Sequence, residues 1–412
     1  MKETKFKDTE IGKIPEEWET LYIHQITEIS TGATPSTNIN EYWENGTIRW
    51  MSSGELNNKI IYDVNGRITQ KGYDNTGTHM LPKNCVLIGL AGQGKTRGTA
   101  AYNKVELCTN QSIAAILPNS KYESKYLYFY IDSLYDKLRL LSAGDGGRGG
   151  LNKQILQNLE IAMPPLNEQH HIASALTSID NLISSLGKLI EKKKNIKQGA
   201  MQQLLTGKTR LKGFSEPWVE KKLGDVAVNY TGLTYSPMNV KSYGTLVLRS
   251  SNIQKGILVF NDNVFVDMDI PSRAIAKKND LLICVRNGSK ALIGKSAVIT
   301  DYADGMAFGA FMTILHANDI QQGFLNYLWQ ADYIQQQVKD NMGATINQIT
   351  NADIEQFKIV VPHSLKEQQA IATILTKMDN EITALEAKRA KYEAIKQGMM
   401  QQLLTGKIRL IG

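Results

Sequence analysis

The sequence predicts an α+β protein built as a tandem duplication, in which a β-rich domain followed by a long helix occurs twice. The main observation is a repeat: KQGAMQQLLTGKTRL at residues 197–211 returns as KQGMMQQLLTGKIRL at residues 396–410, and only two of the fifteen aligned positions differ. The 199-residue offset extends back to Glu168-Gln169 and Glu367-Gln368. A fixed offset without gaps is typical of one structural unit used twice.

Length and composition narrow the class of protein. A chain of 412 residues with 42% hydrophobic and 21% charged residues predicts a soluble protein of two or more domains. No apolar run suggests a membrane span or a secretory signal. The cysteines are Cys85, Cys108 and Cys284, widely spaced, so we expect reduced core residues and a cytoplasmic location. The net charge of +7 favours a polyanionic partner.

The two halves open alike and then become rich in strand signals. Trp18 and Trp218 each precede a region of short β-like runs broken by Gly, Asn and Asp. In the first half these runs are 47–50, 85–90 and 112–117, and in the second they are 246–248, 281–285 and 311–315. A single helix is predicted late in each domain, at 122–141 and 324–338, before a short strand that ends in proline.

A long amphipathic helix follows the proline in both halves. Its apolar residues recur at spacings of four and three, which is the pattern of a coiled-coil seam, and Arg389 and Tyr392 are expected to continue it. The two helices could pair with each other, parallel or antiparallel, or each could pack on its own domain. The predicted seam consists of Ile172, Leu176, Ile179, Ile183, Leu186, Ile190, Ile371, Leu375, Met378, Ile382 and Leu385.

Residues 89–96, GLAGQGKT, fit the G-x-x-x-x-G-K-[ST] pattern of a phosphate-binding loop. That chemistry requires a helix directly after the loop, so that its N-terminus faces the phosphates. Here the glycine-interrupted RGTAAY follows at 97–102, and the matching strand of the second half continues as RNGSK at 286–290, without the motif. Nucleotide binding is therefore a minor alternative, and a loop that touches a nucleic-acid backbone fits both halves better.

The sequence offers little support for catalysis. We find no metal-ligand spacing, carboxylate pair or nucleophile motif with a recognisable context, so neither a catalytic nor a metal site is predicted. What remains suits DNA reading, because Arg and Lys can pair with guanine, Asn and Gln with adenine, and Lys and Ser with phosphates. The candidate DNA-binding residues are Ser52, Ser53, Gln93, Lys95, Thr96, Arg97, Asn110, Gln111, Arg148, Arg249, Ser250, Ser251, Asn252, Arg286, Asn287, Lys290, Lys295, Asn347 and Gln348.

The layout resembles the specificity subunit of type I restriction-modification systems across nearly the whole chain. The resemblance lies in IGKIPEEW at 11–18, LNEQHHIA at 166–173, LKEQQAIA at 365–372 and the repeated KQGxMQQLLTGKxRL. It implies a leader at 1–15, target recognition domains at 16–160 and 214–358, and spacer helices within 161–213 and 359–412. It also implies that the two helices form an antiparallel coiled coil.

The resemblance further implies a non-enzymatic subunit that reads a two-part sequence in double-stranded DNA. The β-rich halves differ far more than the helix repeats, so the expected target is asymmetric. The chain itself would need no cofactor. The implied partners are two methyltransferase subunits that use S-adenosylmethionine, and motor-nuclease subunits that use ATP and magnesium. A nucleotide hydrolase using Gly89–Thr96 and a coiled-coil adaptor that binds only protein are the alternatives.

Overall fold

The computed structural model describes residues 4–92, 94–142, 150–343 and 347–411. The chain forms two compact units. Unit 1 contains residues 1–187 together with 388–412, and unit 2 contains residues 188–387. Each unit therefore holds one segment of each long helix. The predicted borders of the recognition domains divide the chain by function and remain predictions.

Unit 1 contains twelve described strands and five short described helices, followed by the long helix α6. The strands are β1 Phe6–Thr9, β2 Gly12–Pro15, β3 Glu19–Tyr22, β4 Ile29–Thr31, β5 Ile48–Met51, β6 Ile60–Ile61, β7 Arg67–Ile68, β8 Val86–Gly89, β9 Ala100–Asn103, β10 Cys108–Thr109, β11 Ile113–Ile116 and β12 Glu160–Met163. The helices are α1 Ile23–Ile26, α2 Gln70–Asp74, α3 Ser124–Ser133, α4 Tyr135–Leu141, α5 Lys153–Gln157 and α6 Leu166–Leu204, whose second half belongs to unit 2.

The largest sheet of unit 1 has the strand order β4-β11-β8-β9-β6 and is buried on both faces. Along β8, Val86 and Ile88 enter a core shared with α3 and α6, whereas Leu87 enters a second core with Met51 and Leu56. Successive side chains of a strand point to opposite faces, so burial of both faces explains the continuous apolar runs in the sequence. A smaller sheet has the order β10-β5-β7, with β5 and β10 parallel.

Unit 2 repeats this composition. Its strands are β13 Trp218–Lys222, β14 Ala227–Thr231, β15 Val240–Lys241, β16 Thr245–Leu248, β17 Ile253–Gln254, β18 Ile257–Leu258, β19 Phe265–Val266, β20 Leu281–Cys284, β21 Ser296–Val298, β22 Ala307–Phe308, β23 Met312–Ala317 and β24 Lys358–Pro362. Its helices are α7 Gln322–Leu328, α8 Asp332–Asp340, α9 Asn351–Glu355 and α10 Leu365–Leu403, whose second half belongs to unit 1.

The two units share one topology. The order β14-β23-β20-β21 matches β4-β11-β8-β9, and the parallel pair β16 and β22 matches β5 and β10. In both units the strand before the long helix also pairs antiparallel with the first strand of the domain, as β12 with β3 and β24 with β13. The predicted tandem duplication is therefore confirmed in the fold.

The single helix expected late in each domain is wrong in both halves, because each is two helices. The first is interrupted at Leu134, whose backbone leaves the helical region at φ −91° and ψ 12°. The second is interrupted at Ala331, which is extended at φ −65° and ψ 140°. The second break follows the buried Trp329, whose indole N–H donates to the Gly294 carbonyl at 2.9 Å. Long-range packing thus overrides the continuous helical pattern.

The long helices pack antiparallel within each unit, as the coiled-coil prediction requires. In unit 1, Ile172 and Leu176 share a core with Met400 and Leu403, and Asp180 pairs with Lys396 at 2.6 Å. In unit 2, the equivalent core joins Ile371 and Leu375 to Met201 and Leu204. Lys197 pairs there with Asp379 at 2.6 Å, and Lys194 with Glu386 at 2.6 Å.

The eleven predicted seam residues are all buried or half-buried. The seam residues in the first turns of α6 and α10 also enter the core of the adjacent β-rich domain. Each long helix therefore packs on a domain and pairs with the other helix at the same time. Of the two residues expected to continue the seam, Tyr392 is half-buried and Arg389 is exposed. Arg389 pairs with Glu393 one turn further along α10 at 2.9 Å, and its Nη1 lies 4.0 Å from the position that a Cβ on Gly187 of α6 would take.

In each unit, an arginine forms an ion pair with a buried glutamate at the start of a long helix. We call this pair the arginine–glutamate clamp. In unit 1, Arg409 Nε lies 2.7 Å from Glu168 Oε1, and the indole N–H of buried Trp18 donates to Glu168 Oε2 at 3.0 Å. In unit 2, Arg210 makes the same contact with Glu367 at 2.7 Å. Both glutamate side chains are 1% exposed, and their hydrogen bonds raise the pKa of both arginines.

The glutamine beside each clamp glutamate ties the helix to its own domain. Gln169 donates to the Pro164 carbonyl at 2.8 Å and accepts from the Glu123 N–H at 2.9 Å. Gln368 does the same with Pro362 at 2.9 Å and Gln321 at 2.8 Å. The Glu-Gln pair of both repeats therefore has a structural explanation.

We expect Glu168→Gln to lower the stability of unit 1 by about 3 kcal/mol, because removing one partner of a buried pair leaves the other charge uncompensated. Thermal unfolding of the full chain measures this. Glu17→Gln is the matched control: Glu17 contacts the same arginine at 2.9 Å, but its side chain is 68% exposed, so its loss should cost less than about 1 kcal/mol. Equal, small effects of the two substitutions would contradict the clamp.

We also expect all three thiols to resist labelling in the folded protein. Cys85, Cys108 and Cys284 are buried and free, and burial raises the pKa of Cys85 from 9.0 to about 12. Since the unfolded thiol ionises first, this group lowers stability as the pH rises above about 9. Labelling at pH 8 should be slow without denaturant and reach three groups with it. Fast labelling of the folded chain would contradict this burial.

Candidate nucleic-acid interface

In unit 1, the loops that follow β4, β5 and β8 meet the loop that precedes β11. We call residues 32–34, 52–54, 90–92, 94–97 and 110–112 loop edge 1. Backbone hydrogen bonds join them from Leu90 N–H to the Ser112 carbonyl at 2.8 Å and from Asn110 N–H to the Met51 carbonyl at 3.2 Å. A side-chain bond from Thr34 to Gln111 at 2.6 Å completes the set. Antiparallel pairing of β8 with β11 places these ends together.

Close backbone approach explains the Thr-Gly dipeptide found in both halves. A Cβ added to Gly32 would lie 1.8 Å from the Thr109 carbonyl oxygen, and one added to Gly232 would lie 2.1 Å from that of Gly309. Any larger residue would force the neighbouring loop away. Each glycine therefore allows two loops of its own unit to lie in close contact, at corresponding places in the two units.

The loop at 90–99 is a hairpin between antiparallel strands and not a phosphate-binding loop. The described residues of this segment, 90–92 and 94–99, are not helical, and β9 begins at Ala100 where a phosphate site would need a helix. Arg139 donates to the Gly94 carbonyl at 2.7 Å, and the Tyr135 hydroxyl donates to the Lys95 carbonyl at 3.1 Å. These contacts from α4 support the hairpin, and the nucleotide-hydrolase alternative loses its structural basis.

In unit 2, residues 232–234, 249–252, 285–290, 309–311 and 347–348 form the equivalent loop edge 2. Asn287 donates to Ser250 Oγ at 3.0 Å, and Asn347 donates to the Gly288 carbonyl at 2.9 Å. Lys295 also reaches this cluster, where its ammonium donates to the Ser250 carbonyl at 3.1 Å. The predicted residues of the second half are thus brought together at one place.

Some of the candidate residues make contacts within the protein that exclude or limit contact with DNA. Asn252 is fully buried, accepts from the Arg249 N–H at 2.9 Å and donates to the Val259 carbonyl at 3.0 Å. The prediction of a base contact from Asn252 is therefore wrong, because its amide caps the turn, as Glu55 does beside Ser52 in unit 1. The Arg249 guanidinium is held by Asp262 at 3.0 Å.

The remaining candidates stay predictions as DNA contacts. Lys95, Gln111, Arg286 and Lys290 are exposed on their loop edges. Gln93 and Arg148 lie outside the described residues. A third group is half-buried within the same loop edges or, for Lys295, beside one: Ser52, Ser53, Thr96, Arg97, Asn110, Ser250, Ser251, Asn287, Lys295, Asn347 and Gln348.

Sequence reasoning missed Phe311, an aromatic side chain that is 55% exposed on loop edge 2. The Arg286 guanidinium lies over its ring, with Cζ 5.0 Å from the centroid. The sequence places Phe311 at the start of an apolar run, 311–315, which predicts a buried strand residue. Only pairing of the strands shows that β23 begins one residue later, at Met312.

The two loop edges have the electrostatics of a polyanion-binding surface. Their segments contain Lys95, Arg97, Arg249, Arg286 and Lys290 but no Asp or Glu. Fixed cations beside small polar groups and backbone N–H groups are typical of surfaces that contact phosphates and base edges. In the described ranges, no group of three or more His, Cys, Asp or Glu residues could hold a metal. None of the helices described here is long and apolar enough to cross a bilayer.

Comparison with known proteins agrees with this geometry. The model of the type I restriction modification DNA specificity domain matches residues 15–198 and again 215–397. The chain therefore belongs to the type I restriction-modification DNA specificity family and is a specificity subunit that carries the recognition domain twice.

Relatives match over nearly the whole chain or over a little less than half of it. The type I restriction enzyme MjaVIII specificity subunit of Methanocaldococcus jannaschii is 27% identical over 99% of this chain and 97% of its own length. The EcoR124I/EcoR124II specificity subunit of Escherichia coli is 30% identical over 44% of each chain. The crystal structure of the S subunit from M. genitalium covers 94% of this chain and 96% of its own at 16% identity, with a TM-score of 0.60, and so shares the fold.

We expect Lys95→Ala to weaken DNA binding and to lower the slope of log affinity against log salt by about 1, since one phosphate contact is lost. Affinity for a target duplex at several salt concentrations measures this. Lys83→Ala is the matched control, because Lys83 is exposed beyond the opposite end of β8. Loss of ATP binding with unchanged DNA affinity would instead support the nucleotide-hydrolase alternative.

Proposed function

We propose that this specificity subunit reads a bipartite, asymmetric sequence in double-stranded DNA, with one loop edge for each half of the target. The observation that carries the proposal is a shared scaffold with unlike loop edges. The strand orders of the two units match, and the helix repeats differ at two of fifteen positions. Yet Ala91 and Ser112 of loop edge 1 correspond to Arg286 and Phe311 of loop edge 2.

Different side chains on one backbone present different donors and acceptors to base edges. Two unlike surfaces therefore require two unlike half-sites. Rigid loops favour such reading, since contacts that are fixed before binding cost less ordering entropy. Loop edge 2 meets this condition through the hydrogen bonds of Asn287 and Asn347.

We further propose that the subunit has no catalytic activity and recruits partners that do. Two methyltransferase subunits fit a scaffold that presents the same helical elements twice, and motor-nuclease subunits complete the assembly that the family name implies. The protein would need no cofactor, and S-adenosylmethionine, ATP and magnesium would be used by these partners. One structural relative, 16% identical with a TM-score of 0.59, was solved in work on complex assembly and conformational transition of the type I R-M system.

The test is methylation sequencing of host DNA with and without this gene. We expect a bipartite N6-methyladenine motif with two unlike halves that disappears when the gene is removed. Replacing residues 16–160 by the corresponding segment of a relative should change one half of the motif and leave the other intact. Purified alone, the chain should transfer no methyl group to target DNA.

A coiled-coil adaptor that binds only protein is the other candidate. It predicts no change in methylation and no salt-dependent affinity for DNA, whereas phosphate contacts predict a steep slope. A motif with two identical halves would contradict the asymmetry, although it would leave the specificity role in place.

A further inference from the structure

Arg286 and Phe311 form a cation–aromatic pair on loop edge 2. Both are exposed, and the guanidinium carbon lies 5.0 Å from the ring centroid. A guanidinium stacked on an aromatic face loses rotational freedom while its N–H groups stay available at the rim of the plane. The pair is therefore a planar donor group held in place at the surface.

The backbone beneath this pair is fixed from two sides. The N–H groups of Val285 and Arg286 both donate to the Phe311 carbonyl, at 3.0 and 3.2 Å. Arg286 also forms a bridge with Gln348, and the buried Cys284 lies directly before this turn with its Sγ 3.5 Å from the Arg286 carbonyl. The sheet thus fixes the main chain at Arg286, and the ring of Phe311 is the neighbour recorded against its guanidinium.

Arg286 differs from Arg249 and Lys295, two other cations in and beside loop edge 2. Arg249 is paired with Asp262 at 3.0 Å, and Lys295 donates to the Ser250 carbonyl at 3.1 Å. Within the described ranges of the chain, the Arg286 guanidinium has no carboxylate or hydrogen-bond partner. Its five N–H donors are consequently free to bind a ligand.

The pair has no counterpart in unit 1. Cys284 faces Met312 in unit 2 as Gly89 faces Ile113 in unit 1, so Arg286 corresponds to Ala91 and Phe311 to Ser112. Neither small residue can stack or donate to a base in this way. Any function of the pair must therefore belong to one half of the target.

We propose that Arg286 reads a guanine in the half-site bound by unit 2, and that Phe311 is the positioning residue that holds the guanidinium flat. Two parallel N–H donors match the N7 and O6 acceptors of guanine in the major groove. A phosphate can accept the same pair of donors, so the experiments below distinguish a base contact from a phosphate contact. This inference rests on the proposed function and adds one base and two residues to it.

The test compares Arg286→Lys with Arg286→Ala in the complex with the methyltransferase partner. Lysine keeps the charge and removes the fork, so it should still bind phosphate. We expect both variants to relax one guanine of the methylated motif to other bases, with a loss of discrimination of roughly 10- to 100-fold, and to leave the other half of the motif unchanged. Wild-type specificity in Arg286→Lys would overturn the proposal in favour of a phosphate contact.

A second measurement works on the purified complex. Replacing each guanine of the half-site in turn by 7-deazaguanine removes its N7 acceptor. The wild-type complex should lose about tenfold in affinity at one position, and Arg286→Ala should not respond there. Equal responses of the two complexes at every guanine would overturn the proposal. If the wild-type protein directs no bipartite methylation, the proposed function itself fails, which is a distinguishable result.

Two further variants separate reading from folding. Phe311→Ser copies unit 1 and should relax the same guanine less than Arg286→Ala does, because the guanidinium remains but is no longer held. Lys277→Ala is the charge-matched control, since Lys277 is exposed beyond the opposite end of β20. It should leave the motif unchanged, and a relaxed guanine in this control would overturn the assignment to Arg286.

Discussion

In each unit, an ion pair between an arginine and a buried glutamate holds the end of one long-helix segment against the start of the other. Arg409 and Arg210 lie in the segments that follow the long helices, whereas Glu168 and Glu367 lie in the first turns of those helices. A glutamate buried to 1% exposure is stable only with a charged, hydrogen-bonded partner, so both members must be retained together. This constraint explains why an arginine occupies the same position, 210 and 409, in the two repeats. Trp18, near the start of the first half, donates to Glu168, so residues distant in sequence meet at one point.

The sheets explain where variation is tolerated. In both units the central strands are buried on two faces, and their side chains enter two separate cores. A change of volume in such a strand disturbs close packing on one side or the other. The loops at the ends of these strands carry far less of this packing, so their side chains can differ at little cost in stability. The two units of a duplicated fold can therefore share the same scaffold while their recognition surfaces differ.

The loop edges also show why a motif must be judged by its fold. GLAGQGKT at 89–96 matches the sequence pattern of a phosphate-binding loop, but it connects the antiparallel strands β8 and β9 as a hairpin. Without a helix N-terminus there is no concentration of free N–H groups and no dipole to favour phosphate. The same glycines and lysine on a hairpin form an exposed basic loop of a kind suited to a DNA backbone.

The duplication, the long helices, their seam and the central strands could all be predicted from the sequence. These features follow from local periodicity and from the offset of 199 residues. Both can be identified without knowing which surfaces the residues pack against. Seam positions such as Ile172 and Leu375 could be identified because burial repeats every three or four residues. The antiparallel direction came from a family resemblance, since the seam alone fits both directions.

Which loops meet, and which of their side chains remain available for contacts, could not be predicted without the fold. Asn252 and Arg286 look equally suited to base contact in the sequence, yet one caps a turn and the other is exposed over Phe311. The breaks at Leu134 and Ala331 were likewise hidden by continuous helical patterns. The physical reason is the same in each case. The availability of a polar group, or the end of a helix, depends on atoms that are distant in sequence and are brought close only by folding.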